Sequence, residues 1–511
     1  SMVAEVLSDF AEEFGLLQVG QEGFRRLRGT ARQLQALVAA IEDSNLLRRD
    51  LLILYVDFVN AFGSVDHRRL YATMRQLGVP EDCIEVIQDL YAGATTQVCT
   101  PRGNTPEVPF LGRGTVQGDS LSPLVFLLCI EPLLRWLASG DRGYSLGTSD
   151  ETLDGLAYAD DLAILMGTVL DAQIQIRKVA EFCAWSGMEV NIKGTDKTAV
   201  TAKFYDDDRG ERAKAANDLH FPNITWSAAR GAVRSRIPCR KIPTLPPHKP
   251  YVYLGVHVTL DLTWGSHQRI LLRKVRSKGA IIAGSAGTVG QKVRMIRQVL
   301  VPAIRYSMVV VPFTDAALDA LDCSICRAYK VAVGLPPSTS TAVTAMRREC
   351  FGIGADSVRT VYAEVTAGVI TDGLAGRDRV ARVVQGVLRH HARVRSGGWW
   401  RRVPTGLAER WPMLAAVVRS AQLGMTWPAL GGEGTQVRVP TNLLTVAPYS
   451  AEAAVALSAG VWDLRELVSA SGRRLMTAGM MAKRLGCTLK QGTALRDELV
   501  RRLRPEDGKH G

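Results

Sequence analysis

The stretch "GLAYADDLAIL", Gly155 to Leu165, contains two adjacent carboxylates, Asp160 and Asp161, inside an apolar run. The flanking segments "TLDGLAY" and "LAILMG" predict two short strands, with Ala159, Asp160 and Asp161 at the turn between them. Burying an unpaired carboxylate costs several kcal/mol. Two carboxylates side by side at a strand turn both stay charged at low cost only if a cation lies between them. The stretch therefore predicts a cation-binding hairpin.

A second predicted strand also ends in a carboxylate. The continuous apolar run "LLILYV", residues 51–56, predicts a buried strand that ends at Asp57. Three carboxylates at the ends of two neighbouring strands suit a hard divalent cation such as Mg²⁺. A pair of such ions stabilises the attacking and leaving oxygens of an in-line phosphoryl transfer. An Asp-Asp pair alone is more often an ordinary turn, so the assignment depends on the surrounding sequence.

The segments around these strands predict helices and one irregular insertion. The helical patterns are "HRRLYATMRQLG", "EDCIEVIQDLYAG", "SLSPLVFLLCIEPLLRWLA" and "DAQIQIRKVAEFCAWSG". Residues 204–250 are turn-rich and basic, and predict a loop or hairpin insertion, whereas residues 265–395 predict mostly helix. The predicted fold class is α+β.

Composition narrows the class of protein. The chain has 511 residues, of which 47% are hydrophobic, and this predicts two or more domains. A formal net charge of +13 favours a polyanionic partner without establishing one. The nine scattered cysteines predict reduced thiols in an intracellular protein. No uninterrupted apolar run of about 20 residues is present, so the sequence predicts no membrane span.

The motifs, taken in order, resemble those of reverse transcriptases of the non-LTR, LINE-type retrotransposon family. "YADD" resembles their catalytic motif, and "YVDFVNAFGSVDH" resembles the motif that carries the first catalytic Asp. "RGTVQGDSLSPLVFLLCIEPLL" is similar to the motif that contacts template and nucleotide. "QEGFRRLRGT", "WSGMEVNIKGTDKT" and "YVYLGV" are similar to a fingers segment, the motif ending in Lys-Thr and the primer grip. The resemblance covers roughly residues 20 to 350.

The resemblance implies a role for each matching residue. Asp57 and Asp160 would ligate two Mg²⁺ ions, or Mn²⁺, with Asp161 nearby and the backbone carbonyl of Phe58 on the nucleotide-side ion. The residues implied in nucleotide binding are Arg25, Asn60, Ala61, Phe62, Gln117, Gly118 and Lys197, and those at the primer end are Tyr253, Leu254 and Gly255.

Three of these residues have specific implied tasks and an ordinary alternative. Phe62 would be a steric gate that favours deoxynucleotides, and otherwise is a core phenylalanine. Arg25 would clamp the triphosphate, and otherwise is a surface arginine. Lys197 would protonate the leaving pyrophosphate, and otherwise is a solvated lysine. The primer-grip residues would otherwise belong to one more strand.

The implied architecture is that of a right-hand polymerase, with an antiparallel palm sheet backed by helices. Its predicted parts are partial fingers (1–50), a palm with remaining fingers elements and the basic insertion (51–264), a helical thumb (265–395) and a C-terminal helical region of unknown role (396–511). The implied partners are an RNA template, a DNA primer and deoxynucleoside triphosphates. We expect an intracellular, nuclear protein, with any endonuclease elsewhere in the parent protein.

The chain departs from the family pattern at three places. It has Gly63 where the family often has Asp, and Asn60 where the family often has Lys. Before Gln21 it lacks the family's first fingers segment with its Arg-Pro-Ile strand, which predicts either a truncated chain or unusual fingers. This absence slightly favours an alternative function, a catalytically silent nucleic-acid-binding protein with the polymerase fold.

The main hypothesis is an RNA-directed DNA polymerase that extends a DNA 3′-OH on an RNA template, acting in target-primed reverse transcription. A second alternative is a maturase-like enzyme of group II introns. Those enzymes usually have Gly-Gly after the motif Gln, whereas this chain reads Gln117-Gly118-Asp119. The retrotransposon assignment is therefore favoured.

Overall fold

The computed structural model describes residues 2–394, 410–422 and 476–503, together with the single residues Ala456 and Leu467. Within the first range it leaves out residues 110, 111, 117, 207, 346–352 and 356. The chain divides into two compact units. The first comprises Ser1–Ala40, Arg48–Leu146 and Asp150–Asp261, and the second comprises Ile41–Leu47, Gly147–Ser149 and Leu262–Gly511.

The described strands all belong to the first unit. They are β1 (Leu51–Val56), β2 (Thr95–Thr96), β3 (Cys99–Thr100), β4 (Gly103–Asn104), β5 (Val108–Pro109), β6 (Tyr144–Ser145), β7 (Thr152–Leu153), β8 (Gly155–Tyr158), β9 (Asp161–Met166), β10 (Ala199–Lys203), β11 (His220–Phe221), β12 (Ile224–Ser227), β13 (Gly231–Arg234), β14 (Arg240–Lys241), β15 (Thr244–Leu245), β16 (Tyr251–Tyr253) and β17 (Val256–Val258).

Helices occur in both units. Those that begin in the first unit are α1 (Met2–Glu13), α2 (Thr30–Leu47), α3 (His67–Gln76), α4 (Glu81–Ala92), α5 (Ser122–Ala138), α6 (Val169–Ser186) and α7 (Arg209–Asn217). Those of the second unit are α8 (Gly265–Gly284), α9 (Val289–Met295), α10 (Val301–Met308), α11 (Asp315–Ala332), α12 (Thr341–Ala345), α13 (Val358–Ala375), α14 (Arg379–Val394), α15 (Pro412–Gln422), α16 (Ala478–Leu485) and α17 (Leu489–Leu503).

Five strands form the central sheet of the first unit, in the order β15-β10-β1-β9-β8. β1 lies between β10 and β9 and pairs antiparallel with both. All six of its residues are buried, as expected for a strand covered on both faces. β15 pairs parallel with β10, so the predicted antiparallel sheet carries one parallel edge strand.

The two faces of β1 are packed differently. Leu52, Leu54 and Val56 point into the main hydrophobic cluster, which also contains most of the buried side chains of α5 and α6. On the opposite face the Tyr55 ring stacks on the Tyr251 ring, with centroids 3.8 Å apart and 5° between the planes. The packing on both faces fixes the position of the end of β1, where Asp57 follows.

The predicted secondary structure agrees with most of this unit. β1 has the predicted bounds, and α3, α4, α5 and α6 lie within one or two residues of the quoted helical patterns. Asp161 was expected in the turn, but it is the first residue of β9. The 204–250 insertion contains the strand pairs β11–β14 and β12–β13, and also α7, which the sequence did not predict. Only Ala216 of α7 is buried, so the helix carries no apolar periodicity.

The regular secondary structure described in the second unit is all helical. Within it, the buried Glu42 carboxylate accepts hydrogen bonds from the Met413 backbone N–H, at 3.0 Å, and pairs with the ring Nε2 of His391, at 2.6 Å. Of the predicted 396–511 region, residues 396–409, 423–455, 457–466, 468–475 and 504–511 lie outside the described residues. Among the helices that the structure describes, none combines the length and apolar character needed to cross a lipid bilayer.

Candidate active site

Asp160 sits at the tip of the β8–β9 hairpin. Tyr158 and Asp161 are the last paired residues, so Ala159 and Asp160 alone form the connection. Ala159 adopts a left-handed conformation, with φ of 56°, which is unfavourable for a residue with a Cβ. The turn is therefore tight and conformationally demanding, and it places the two carboxylates at the end of two stiff strands.

Asp57 reaches the same place from the neighbouring strand. The antiparallel register of β1 and β9 pairs Val56 with Leu162. One position further along, the register sets Asp57 opposite Asp161, where residues on paired strands lie about 5 Å apart. The structure thus brings together the three carboxylates that the sequence predicted to share a site.

Three side chains from the segment that precedes β10 surround Asp57. The amide Nδ2 of Asn191 donates to Asp57 Oδ2 at 2.9 Å, and the Lys197 ammonium lies 3.8 Å from Asp57 Oδ1. The Asp57 backbone N–H donates to the Thr198 hydroxyl at 3.1 Å. The sequence reasoning missed Asn191 and Thr198, although both lie inside the quoted segment "WSGMEVNIKGTDKT".

The Phe58 carbonyl, expected near the nucleotide-side metal, is not used in the backbone hydrogen bonds that hold this segment. Phe58 forms an isolated antiparallel bridge with Val190. The two hydrogen bonds of this bridge join its neighbours, from Asn191 N–H to the Asp57 carbonyl and from Val59 N–H to the Glu189 carbonyl, both at 2.8 Å. The bridge therefore fixes Phe58 without using its carbonyl oxygen.

The site concentrates negative charge. The pKa of Asp161 is raised from 3.8 to about 6, first by burial and then by the charges of Asp160 and Asp57, while Lys197 opposes them. Burial also raises the pKa of Asp160, with a further contribution from the charge of Asp57. Since the outer part of Asp161 is exposed, solvent screens part of this repulsion.

The donor chemistry of this site fits a divalent cation. Carboxylate oxygens are the ligands that Mg²⁺ prefers, and their mutual repulsion is relieved by a cation between them. Within the described ranges, however, no three His, Cys, Asp or Glu side chains are grouped closely enough to form a ready-made metal cluster. The three carboxylates are neighbours that influence one another's charge, rather than an already converged ligand set.

Phe62, the predicted steric gate, is held by other rings. It begins a short 3₁₀ helix, Phe62–Ser64, directly after the buried Ala61. Its ring stacks on Phe126 of α5, with centroids 4.3 Å apart, and meets the Phe24 ring edge-on at 6.4 Å. A ring fixed in this way can act as a rigid wall of a nucleotide pocket.

The two departures from the family pattern near Phe62 are in contact. Asn60 has a left-handed backbone, with φ of 46°, and its side chain lies over Gly63. A Cβ added at Gly63 would come within 2.3 Å of the Asn60 amide nitrogen. The glycine therefore makes room for the asparagine, and the two substitutions form one local arrangement.

Two further predicted nucleotide-site residues, Gln117 and Gly118, lie between α4 and α5. Gly118 adopts φ of +92°, a conformation that L side chains rarely adopt, and is exposed. Gln117 lies outside the described residues. The position of Gly118 is consistent with a close approach of backbone to a ligand, and its role stays a prediction.

Arg25 has a different environment from the one predicted. Its side chain is only 6% exposed, and its guanidinium forms a two-pronged ion pair with Glu12, with both contacts at 2.7 Å. Its Nη1 also donates to the backbone carbonyls of Gln18 and Gln21, at 2.9 and 3.0 Å. The guanidinium is thus engaged by Glu12 and by backbone, and its role as a triphosphate clamp stays a prediction.

The predicted primer grip is a tight hairpin. Leu254 and Gly255 connect β16 to β17, and both have positive φ, 45° and 78°, as in a type I′ turn. The Tyr253 hydroxyl donates to the Leu156 carbonyl of β8 at 3.1 Å. The hairpin is thus tied to the strand that leads into the catalytic turn, three residues before Ala159.

Comparison with known proteins agrees with this geometry. The sequence model of the family described as reverse transcriptase (RNA-dependent DNA polymerase) matches residues 1–258. The chain is 30% identical over 190 residues to the Pol polyprotein of the type-2 retrotransposable element R2DM of Drosophila melanogaster, covering 35% of this chain and 18% of that protein. It is 30% identical over 171 residues to an R2 Pol polyprotein of Bradysia coprophila, covering 34% and 19%.

A more distant relative is an uncharacterised 149 kDa protein of transposon TX1 of Xenopus laevis, 29% identical over 162 residues, covering 30% of this chain and 12% of that protein. A solved telomerase structure from Candida albicans aligns with 72% of this chain and 54% of that chain at 12% identity, with a TM-score of 0.29, too low to support any conclusion. The chain spans about a fifth of the R2 relatives that it matches.

The chain belongs to the reverse transcriptase family. This confirms the resemblance to non-LTR reverse transcriptases and the α+β fold of right-hand polymerases. Members of the family act on a nucleic-acid template, a primer and nucleotides, and generally use divalent metal ions. The names fingers, palm and thumb for particular ranges of this chain stay predictions.

Replacing Arg25 by Met distinguishes a structural role of this residue from the predicted triphosphate clamp. We expect the free energy of unfolding to fall by about 1 to 3 kcal/mol, because Glu12 and two backbone carbonyls lose their donor. The KM for deoxynucleotides should change by less than about twofold, since Arg25 faces the protein. Urea unfolding and steady-state primer extension measure the two quantities.

The matched control is Arg26→Met, which removes a largely exposed neighbour paired with Asp9. Exposed pairs contribute little, so its unfolding free energy should change by less than about 1 kcal/mol. A tenfold rise of the nucleotide KM for Arg25→Met, with stability unchanged, would instead support the triphosphate clamp.

The raised pKa of Asp161 predicts a pH-dependent stability of the metal-free protein. Because its folded pKa of about 6 exceeds the ordinary 3.8, the stabilisation is complete below pH 3.8 and is lost as the pH rises through about 6. Asp161→Asn removes the ionisable group, and with it the loss of stability at high pH. In EDTA the variant should be more stable than the wild type at pH 8, by less than about 1 kcal/mol after screening, and the difference should shrink at pH 5. The same difference at both pH values would argue against this electrostatic origin.

Proposed function

We propose that this chain is the polymerase of a non-LTR retrotransposon of the R2 type. It extends a DNA 3′-OH on an RNA template and releases pyrophosphate, in target-primed reverse transcription. The observation that carries this proposal is the meeting of Asp57 with Asp160 and Asp161 at the ends of β1, β8 and β9. Family membership and the R2 relatives support the same reaction.

The carboxylates provide the place for the catalytic ions. Asp57 and Asp160 would hold two Mg²⁺ ions, or Mn²⁺, with Asp161 beside them and the Phe58 carbonyl directed at the nucleotide side. When bound, such ions stabilise the charge that develops on the attacking and leaving oxygens. The rigid strands and the Phe58–Val190 bridge keep these oxygens in place before the reaction.

The protein groups around the carboxylates bind the nucleotide and move the proton. The backbone N–H groups of Asn60, Ala61 and Phe62 follow directly after the Asp57 strand and would hold the triphosphate. Gln117 and Gly118 would line the same pocket. The primer 3′-hydroxyl loses its proton to solvent, its oxygen forms a bond to the α-phosphorus, and the bond between that phosphorus and pyrophosphate breaks.

Lys197 would give the leaving pyrophosphate a proton. Its ammonium is half-exposed and lies 3.8 Å from Asp57 Oδ1, so it can leave that carboxylate when the site fills. The Tyr251 hydroxyl donates to the Lys197 carbonyl at 2.8 Å, which fixes the backbone from which the side chain extends. Tyr253, Leu254 and Gly255 would support the primer end through the hairpin tied to β8.

The rest of the proposal concerns the protein from which this chain comes. The R2 relatives are Pol polyproteins much longer than the matched segment, so we propose that an endonuclease lies elsewhere in a parent protein. Target-primed synthesis requires chromosomal DNA, so the proposed location is the nucleus. The alternative of a catalytically silent binding protein predicts duplex binding without extension.

Primer extension tests the proposed reaction. The purified chain is given a DNA primer on an RNA template, Mg²⁺ and deoxynucleotides. We expect extension by the wild type and a loss of at least about 1,000-fold for Asp57→Asn and for Asp160→Asn, since these carboxylates act on the reacting centre.

The matched control is Asp141→Asn, which changes an exposed aspartate in a turn away from the site and should keep wild-type activity. Equal extension by Asp160→Asn and the wild type would reveal a contaminant and contradict the assignment. Salt-sensitive duplex binding without extension by the wild type would favour the binding-protein alternative.

The steric-gate proposal predicts a specific change of substrate preference. Phe62→Val shortens the ring that would lie under the sugar, so incorporation of ribonucleotides should rise by at least about tenfold relative to deoxynucleotides. The ratio of kcat/KM for the two sugars measures this. Phe126→Leu removes the supporting ring but leaves Phe62, and should shift the ratio less. An unchanged ratio for Phe62→Val would remove Phe62 from the sugar pocket.

A further inference from the structure

Gln21 holds the catalytic turn through a side-chain amide. Its Oε1 accepts the Ala159 backbone N–H at 2.9 Å, and its Nε2 donates to the Ala159 carbonyl at 3.3 Å. Both backbone polar groups of this turn residue are therefore bonded to one side chain. Gln21 is fully buried and precedes Asp160 by more than a hundred residues along the chain.

The segment that carries Gln21 is itself fixed against β8. The Glu22 N–H donates to the Ala157 carbonyl and the Ala157 N–H donates to the Gly20 carbonyl, both at 2.9 Å. Gly23 donates its N–H to Gln21 Oε1 at 2.8 Å. The Gln21 amide therefore has a defined position relative to the strand that enters the turn.

Gly23 shows how closely this segment approaches the turn. A Cβ added at Gly23 would lie 2.3 Å from the Ala159 backbone nitrogen. The contact is with backbone, so it cannot be relieved by the rotation of a side chain. A glycine here allows the segment to lie directly on the residue before Asp160.

Ala159 requires such a partner for two reasons. Its left-handed backbone, with φ of 56°, is disfavoured for alanine, so the turn has other conformations within reach. Ala159 is also buried, and buried N–H and carbonyl groups without partners are unfavourable. The Gln21 amide satisfies both groups in the observed conformation, and so favours it.

We propose that Gln21 is a positioning residue of the polymerase site, which sets the direction of the Asp160 carboxylate by clamping Ala159. It touches neither substrate nor metal. It acts on the one residue between β8 and Asp160, and a small rotation there displaces the carboxylate. This inference rests on the proposed function of Asp160 and adds a determinant outside the two motifs that carry the carboxylates.

The test compares Gln21→Met with a matched glutamine nearby. Gln33 is equally buried and donates from Nε2 to the Gly20 and Ala157 carbonyls, at 2.6 and 2.7 Å, without contacting the turn. Gln33→Met therefore reports the cost of losing a buried amide beside β8. A third variant, Gln21→Glu, keeps the acceptor for the Ala159 N–H.

The measured quantities are kcat, the Mg²⁺ concentration at half-maximal activity, the Kd for a primer–template duplex and the melting temperature. For Gln21→Met we expect kcat to fall by about 10- to 100-fold, as for a misplaced catalytic group, with the duplex Kd within about twofold of wild type. The half-maximal Mg²⁺ concentration should rise several-fold. Gln21→Glu should recover part of kcat, and Gln33→Met should keep kcat within about threefold at a similar loss of melting temperature.

Equal losses of kcat in Gln21→Met and Gln33→Met, in proportion to melting temperature, would overturn the proposal, as would wild-type kcat in Gln21→Met. A second assay distinguishes failure of the positioning role from failure of the proposed polymerase function. It measures the binding of Mn²⁺ to the whole chain by electron paramagnetic resonance. If the wild type does not polymerise but Gln21→Met binds Mn²⁺ several-fold more weakly than Gln33→Met, the positioning role stands and the polymerase proposal fails. Equal Mn²⁺ affinities of the two variants would overturn the positioning role.

Discussion

The repulsion among three carboxylates at one end of the central sheet is the constraint on which the site depends. Asp57 leaves β1 opposite Asp161, and Asp160 stands at the adjacent turn. In the absence of a cation this arrangement is unfavourable, as the raised pKa values of Asp160 and Asp161 indicate. Only a stiff scaffold can hold such groups together, and a fully buried central strand provides it.

Contacts from distant parts of the chain support that scaffold. Tyr251 stacks on Tyr55 under β1, and Tyr253 bonds to the backbone of β8. Thr198 receives the N–H of Asp57, and Gln21 holds Ala159. Each contact joins segments that are far apart in sequence, so the site forms only when the whole unit has folded.

The sequence was sufficient to predict the elements that carry the carboxylates. A six-residue apolar run predicts β1, and apolar residues on both sides of Asp160 and Asp161 predict the hairpin, because burial follows directly from such patterns. Helix α7 and the parallel edge strand β15 were not predictable in this way. α7 buries one alanine, and a two-residue strand such as β15 is defined by its partner rather than by its own residues.

Side-chain roles were harder to predict than backbone elements, and Arg25 shows why. A guanidinium suits a carboxylate as well as it suits a phosphate, so residue type alone does not choose between them. In the structure its partner is Glu12, thirteen residues earlier, which the helix α1 presents to Arg25. Gln21 was missed for the related reason that its partner is backbone, and backbone partners leave no mark on residue type.

The same physics explains why the turn is built under strain rather than relaxed. A glycine in place of Ala159 would relieve the left-handed backbone but would also widen the range of directions open to Asp160. With alanine, the hydrogen bonds from Gln21 stabilise the observed conformation against its strain, and strain that the surroundings over-determine is typical of functional sites. The charge repulsion that destabilises the metal-free site is also what attracts a cation to it. Stability is thus lower where the carboxylates must converge, and the buried β1, α5 and α6 core compensates for it elsewhere in the unit.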